Sequence, residues 1–341
     1  MKMGAARFVT SAPEEEIQRL VSKIAHLRAE IGKVIIGQQG VVEELLTAFL
    51  AGGHCLLEGL PGLGKTLLIR TLAQAVQLTF HRIQFTPDLM PSDIIGTEVL
   101  EEDHATGKRF FQFNPGPIFG QIILADEINR TPPKTQAALL EAMQEGSVTY
   151  GGKTYTLEQP FFVLATQNPI EQSGTYPLPE AQLDRFMLYL SIGYPEEADE
   201  LSMLASTTGS RAAEVQPVLT KEEILQLQGL ARQVVINDDL LGYVNRLVRA
   251  TRDRSLPYIA KWVRWGAGPR AGQALILSAK ARALLTGRFA VTLDDLRALA
   301  APVLRHRILL NFEAETERIQ PDDVARELFR LVPEPKSPLL R

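Results

Sequence analysis

Three stretches of this 341-residue chain predict an α/β fold, a parallel sheet sandwiched by helices, followed by an all-helical domain. The first is Gly59-Leu60-Pro61-Gly62-Leu63-Gly64-Lys65-Thr66, a glycine, four residues and then Gly-Lys-Thr. The second is a pair of unbroken apolar runs, residues 121–125 and 161–166, the pattern of strands covered on both faces. The third is the change of pattern after Gly193-Tyr194-Pro195, beyond which helix starts of the capping-box type stand at Thr220/Glu223 and Thr292/Asp295.

The 59–66 spacing is that of a phosphate-binding loop. Its glycines let the backbone turn tightly, so that successive N–H groups face phosphate oxygens. The context it needs is present: an apolar strand-length run at 54–57 before it, and apolar residues at helical spacing over 67–73 after it. Gly59, Pro61, Gly62, Leu63, Gly64, Lys65, Thr66 and Leu67 are the expected nucleotide contacts. Lys65 is expected on the β- and γ-phosphates and the Thr66 hydroxyl on Mg²⁺.

Composition sets the bounds. The length suffices for two domains with a substantial core, and 45% hydrophobic with 22% charged residues is ordinary for a globular protein. A net charge of −4 offers no bulk attraction to nucleic acid or acidic lipid. The one cysteine, Cys55, lies in an apolar run, where it reads as a small buried hydrophobe, and a chain with one cysteine suits a reducing compartment. No apolar signal core precedes Glu14-Glu15-Glu16 and no uncharged run reaches membrane-spanning length, so a cytoplasmic location is expected.

In chain order, residues 1–16 read as a flexible tail, 17–193 as the α/β core and 194–341 as the helical domain. Helical patterns cover 17–31 and 41–50, joined by the apolar turn 34–38. Residues 80–85 alternate as a strand, and 97–101 with 108–113 form a hairpin pattern. The strand 121–125 ends in Asp126-Glu127, and Pro132-Pro133 opens a helix over 134–144. Gly151-Gly152 joins the strands of a second hairpin, 147–150 and 153–157. The strand 161–166 stops at Gln167-Asn168-Pro169, and a further apolar stretch covers 183–190.

Asp126-Glu127 at the end of a hydrophobic strand supplies the second half of a nucleotide site. Asp126 holds Mg²⁺ there, while Glu127 polarises the attacking water. Asn168 ends the next apolar strand; strand C-termini share one edge of a parallel sheet, where its amide can stand beside the phosphates, although Asn168-Pro169 alone reads as a plain turn.

In this order the phosphate loop, Ile-Ile-Leu-Ala-Asp-Glu-Ile-Asn-Arg (122–130), Ala-Thr-Gln-Asn-Pro (165–169), Gln-Leu-Asp-Arg-Phe (182–186) and Gly-Pro-Arg-Ala (268–271) resemble the AAA+ ATPases, specifically the MoxR family. That family belongs to the helix-2-insert clade, related to magnesium-chelatase motor subunits, and the resemblance runs from about Ile17 to Val332. It implies a P-loop NTPase core with a helical lid, ATP/ADP and Mg²⁺ as cofactors, and a homo-oligomeric ring, usually hexameric. It further implies that Asn168 is the sensor-1 residue, Arg185 the arginine finger toward a neighbour's nucleotide, and Arg270 the sensor-2 arginine. Residues 34–38, Ile36 and Gly37 among them, match the turn that contacts adenine. The two hairpins match the helix-2 insert and the pre-sensor-1 hairpin.

The function expected from the resemblance is Mg²⁺-dependent ATP hydrolysis by a chaperone-like ring that remodels, assembles or inserts metal into proteins carrying a von Willebrand factor A domain. A chelatase-type motor subunit and a nucleic-acid motor are the alternatives. The acidic balance and the lack of a recognisable helix-turn-helix speak against the latter.

Overall fold

The computed structural model describes residues 14–102, 107, 109–170, 174–208 and 213–335. Helices α1 (Glu14–Gly32) and α2 (Gln39–Ala51) lead into β1 (Cys55–Gly59), α3 (Lys65–Ala75) and β2 (Phe80–Gln84). A short α4 (Pro91–Ile95) precedes the hairpin β3 (Gly96–Glu102) and β4 (Arg109–Pro115). Next come β5 (Ile122–Asp126), α5 (Pro133–Glu145), the hairpin β6 (Ser147–Tyr150) and β7 (Lys153–Thr156), β8 (Phe162–Gln167), α6 (Glu180–Leu183) and β9 (Leu188–Ile192). Beyond them lie α7 (Glu197–Thr207), α8 (Lys221–Gln233), α9 (Asp238–Ala250), α10 (Pro257–Trp262), β10 (Val263–Trp265), α11 (Pro269–Leu285) and α12 (Leu293–Leu304). The last elements are β11 (Leu309–Leu310), α13 (Phe312–Thr316) and α14 (Pro321–Leu331).

The expected 1–16 tail falls partly on a helix. Residues 1–13 lie outside the described residues, but Glu14, Glu15 and Glu16 form the first turn of α1. Three carboxylates there face the positive end of the helix dipole, which favours helix over coil. The helical region also carries the antiparallel pair β10–β11 and a bridge between Val235 and Ala290.

Five strands form the central sheet in the order β2-β5-β8-β1-β9, and every neighbouring pair is parallel. Successive side chains of a strand point to opposite faces, and here both faces are covered. Cys55, Leu57, Ile122, Leu124, Phe162 and Leu164 join the core that also holds α1, α2, α3 and the C-terminal helices. Leu56, Ile123, Ala125, Val163 and Ala165 join a second core with Leu139, Leu140 and Met143 of α5. This two-sided burial is why β5 and β8 read as uninterrupted apolar runs. Cys55 is fully buried, and burial pushes its thiol well up.

The first core continues into the C-terminal region, where α11 packs on α2 and α8. Lys23 of α1 also bonds Glu223 of α8 at 2.7 Å. The capping box at Thr220 forms, its side chain accepting from the Glu223 N–H.

The box at the start of α12 is built on a buried charge. Asp295 is 0% exposed. It accepts from Arg282 at 2.7 Å, from Arg288 at 2.5 and 2.8 Å, and from the Thr292 N–H at 2.9 Å. Burial alone would raise this carboxyl, but the bonds from Arg288, Thr292 and Arg282 outweigh it and hold the group below its usual value. A depressed carboxyl adds stability that is present above its unfolded pKa, about 3.9, and is lost as pH falls through the folded value. Breaking a buried pair costs about 3–5 kcal/mol. The guanidiniums keep 23% and 36% exposure and can rehydrate, so Asp295→Ala is expected at the lower end, about 3 kcal/mol, in the urea midpoint. Asp295→Asn is expected to flatten the loss of stability below about pH 4. An acid limb identical to that of the parent protein would contradict this role.

Candidate functional site

All five sheet strands end on one edge, which gathers the loop after Gly59, the segment after Gln84, Asp126-Glu127, Asn168 and Gly193. In the loop, Gly62 and Gly64 take φ of +84° and +77°, left-handed values that favour glycine, and each has open space around a would-be Cβ. Backbone conformation, not crowding, requires glycine at these two. Gly59 is different, because a Cβ there would stand 2.1 Å from Ile192 Cγ2. Gly64 caps α3 without a side-chain hydrogen bond, so the first-turn N–H groups of that helix face outward as donors. The Lys65 ammonium donates to the Gly59 carbonyl at 2.8 Å and to that of Gln167 at 3.5 Å.

A cavity of about 410 Å³ is lined by Pro61, Gly62, Gly64, Lys65, Thr66, Leu67, Asp126 and Glu127. The phosphate loop and the two carboxylates read from separate motifs therefore share one space. Asp126 is 7% exposed, and its Oδ1 accepts from the Thr166 hydroxyl at 2.6 Å. Its Oδ2 accepts from Arg82 Nε at 3.1 Å and Nη2 at 2.7 Å. The Glu127 N–H donates to the same Thr166 hydroxyl at 2.9 Å. Glu127 Oε2 accepts from Gln84 at 2.9 Å and from Arg130 at 2.8 Å. Glu127 itself takes φ +57°, a left-handed conformation unusual for a side-chain-bearing residue.

Asn168 is 5% exposed at the end of β8; its Oδ1 accepts from the Ile170 N–H at 3.2 Å, which leaves the amide NH₂ as the donating end. The turn holding Ile36 and Gly37 is tied to the same edge, since Gln38 Nε2 donates to the Gly193 carbonyl at 2.9 Å. Leu63 packs against the larger core.

Arg185 and Arg270 do not join this group. They line a separate cavity of about 280 Å³ together with Gly53, His54, Asp184 and Arg307. His54 precedes β1 and Arg185 precedes β9, and the Met187 N–H bonds the His54 carbonyl at 2.8 Å. This cavity thus lies at the N-terminal end of the strands whose C-terminal end carries the phosphate loop. Arg270 sits in the first turn of α11, where the helix dipole opposes a cation, and the anion near it is Asp184, 3.7 Å away.

Sequence reasoning missed Arg82, Gln84 and Thr166. Arg82 and Gln84 stand two apart on β2, hence on one face, and Gln84 pairs in register with Asp126. The polar positions of the alternating stretch 80–85 were the signal available.

A nucleotide with Mg²⁺ fits this cavity. It holds backbone donors at a helix start, one ammonium, a hydroxyl and a carboxylate, and Mg²⁺ is commonly held by one or two carboxylates together with substrate phosphates. Among the described residues no group of three or more His, Cys, Asp or Glu gathers as a metal site, and no helix is long and apolar enough to cross a membrane.

The chain matches the profile of the ATPase family associated with various cellular activities (AAA) over residues 54–188, and that of the AAA lid domain over residues 259–328. It is 44% identical to the uncharacterized protein YeaC of Bacillus subtilis, over 95% of this chain and 98% of that one. It is 42% identical to chaperone MoxR1 of Mycobacterium tuberculosis, over 90% and 81% of the two chains. A crystal structure of a Cytophaga hutchinsonii protein described as an ATPase superposes with a TM-score of 0.87 at 42% identity, covering 95% of this chain and 98% of that one. Loop, carboxylate pair, helical lid and similarity over nearly the full length agree: the chain belongs to the MoxR family of AAA+ ATPases.

Proposed function

We propose that the chain is a Mg²⁺-dependent ATPase, ATP plus water giving ADP and phosphate, and that it works as a cytoplasmic ring acting on protein partners. The observation that carries this reading is the one cavity shared by the phosphate loop, Asp126 and Glu127. Lys65 and the first-turn N–H groups of α3 bind the phosphates. Thr66 and Asp126 would hold the metal, which when bound supplies charge neutralisation across the β- and γ-phosphates. Glu127 takes the proton of the attacking water; with Oε2 engaged by Gln84 and Arg130, Oε1 is the oxygen that receives it. The Asn168 NH₂ orients that water. Ile36 and Gly37 border the base.

Arg185 and Arg270 then act on the nucleotide of a neighbouring subunit. What supports this is their position at the strand end opposite the chain's own phosphate loop. A head-to-tail contact that joins these two ends closes into a ring, a hexamer in this reading. A relative carries the name chaperone, which supports remodelling or assembly of protein partners; in this reading the partners carry a von Willebrand factor A domain, and metal insertion is one form that assembly would take. On the hairpin β3–β4, Phe113 stacks on Tyr155 at 4.3 Å, whereas Leu100 and its cross-strand partner Phe111 are 51% and 69% exposed. That exposed pair suits a polypeptide better than a phosphate backbone.

Lys65→Ala is expected to abolish nucleotide binding. Glu127→Gln is expected to bind ATP yet lose phosphate release by at least about 100-fold, since Gln is no base. Turnover near the parent rate in Glu127→Gln would remove Glu127 from the role.

Arg185→Ala is expected to keep ATP affinity and to lose roughly 10³–10⁵ in rate. Mixed rings of Arg185→Ala with Lys65→Ala should regain activity, because some interfaces pair an intact loop with an intact arginine. No rescue in verified mixed rings would place the arginine and its nucleotide in one subunit. Deleting residues 101–110 should weaken stimulation by a von Willebrand factor A protein while basal hydrolysis persists; strong stimulation by DNA at physiological salt instead would favour the nucleic-acid motor.

A further inference from the structure

Helix α7 buries none of its residues, so core packing does not explain where it sits. Its position is nevertheless tight. Gly37 takes φ +75°, and a Cβ there would stand 2.7 Å from Asp199 Cβ and 3.0 Å from Asp199 Cγ and Oδ2. The Asp199 carboxylate therefore lies against the Cα of Gly37. The same turn is bound to the end of β9 by the bond from Gln38 to the Gly193 carbonyl, and Ile192 pairs in register with Gly59, the first residue of the phosphate loop. Turn, α7 and loop are thus contiguous. Under the nucleotide reading, in which Ile36 and Gly37 border the base, this rim stands beside it. Met203, one helical turn beyond Asp199 on the same face of α7 and 37% exposed, offers a polarizable apolar surface for a purine ring.

We propose that Asp199 selects the base by accepting a hydrogen bond from the exocyclic 6-amino group of adenine. This rests on the nucleotide reading above and adds to it a specificity-determining residue. The chemistry is directional: adenine presents an amino donor at position 6, where guanine presents a carbonyl acceptor that a carboxylate repels. A site built to bond a substrate N–H rejects the analogue that lacks it, because its own polar group is left without a partner. A bond to a charged acceptor is about twice as strong as a neutral one.

The test is competition against a fluorescent ADP analogue on the full chain with Mg²⁺, using ATP, purine riboside triphosphate, which lacks only the amino group, and GTP. The parent protein is expected to bind ATP at least about tenfold more tightly than purine riboside triphosphate. Asp199→Ala is expected to bring that ratio close to one through lost ATP affinity, with an unchanged thermal midpoint before nucleotide is added. Asp199→Asn keeps a neutral acceptor and should fall between them, an order that a purely structural role for Asp199 would not produce. A parent ratio near one, or a ratio unchanged in Asp199→Ala, overturns the assignment. Tighter binding of GTP than ATP that disappears in Asp199→Ala also overturns it, by assigning the carboxylate to the guanine edge. Displacement by none of the three nucleotides overturns the nucleotide reading itself.

Discussion

One hydroxyl holds the phosphate-loop edge of the sheet together. Thr166, fully buried on β8, donates to Asp126 and accepts from the Glu127 N–H. A hydroxyl has one proton to give and lone pairs to receive with, so both contacts can exist at once without conflict. Their consequence concerns direction. In a regular strand, consecutive side chains point to opposite faces, and Asp126 and Glu127 could not share a cavity. The left-handed turn at Glu127 breaks the alternation and lets both line the same space. Such a backbone costs about 1–3 kcal/mol. Two bonds to one buried hydroxyl, one of them charge-assisted, are of the size needed to offset it.

The parallel sheet then separates two groups of charges. At the C-terminal strand ends, Lys65, Arg82 and Arg130 stand among Asp126 and Glu127. At the other end, Arg185, Arg270 and Arg307 surround Asp184. A five-residue strand is about 17 Å long, farther than an arginine side chain reaches. Under the proposed function each chain therefore carries two incomplete sites, and hydrolysis depends on contact between subunits.

Legible in the sequence was whatever its own neighbours determine. The phosphate loop needs glycines at fixed offsets, and Gly62 and Gly64 take the left-handed conformations that explain them. The turn Gly151-Gly152 has positive φ at both positions, as a two-residue hairpin turn of that kind requires. Strands β5 and β8 were readable because both their faces are buried. The braces on Asp126 and Glu127 were not, because Arg82 and Gln84 reach them only through the register of β2 on β5. The place of Arg270 depends on how the lid packs, and no local pattern encodes that. β10 and β11, three and two residues long, are too short to show a period.

Arg307 makes most of the bonds between the lid and the arginine segment, and His306 adds one to the Phe186 carbonyl. Arg307, just beyond α12, donates to Asp184 Oδ1 at 2.7 Å and to the carbonyls of Asp184, Phe186, Met187 and Val303. All five of its N–H groups are used, and its side chain is only 3% exposed. Such a guanidinium cannot turn without stranding several buried donors and acceptors, each costing about 1–3 kcal/mol. The segment 184–187, which contains Arg185, and the end of α12 consequently move as one body. Asp184 also faces Arg270 at the start of α11, at 3.7 Å. Because the Met187 N–H also bonds the His54 carbonyl and β9 follows at Leu188, this junction ties the end of α12 to the sheet itself.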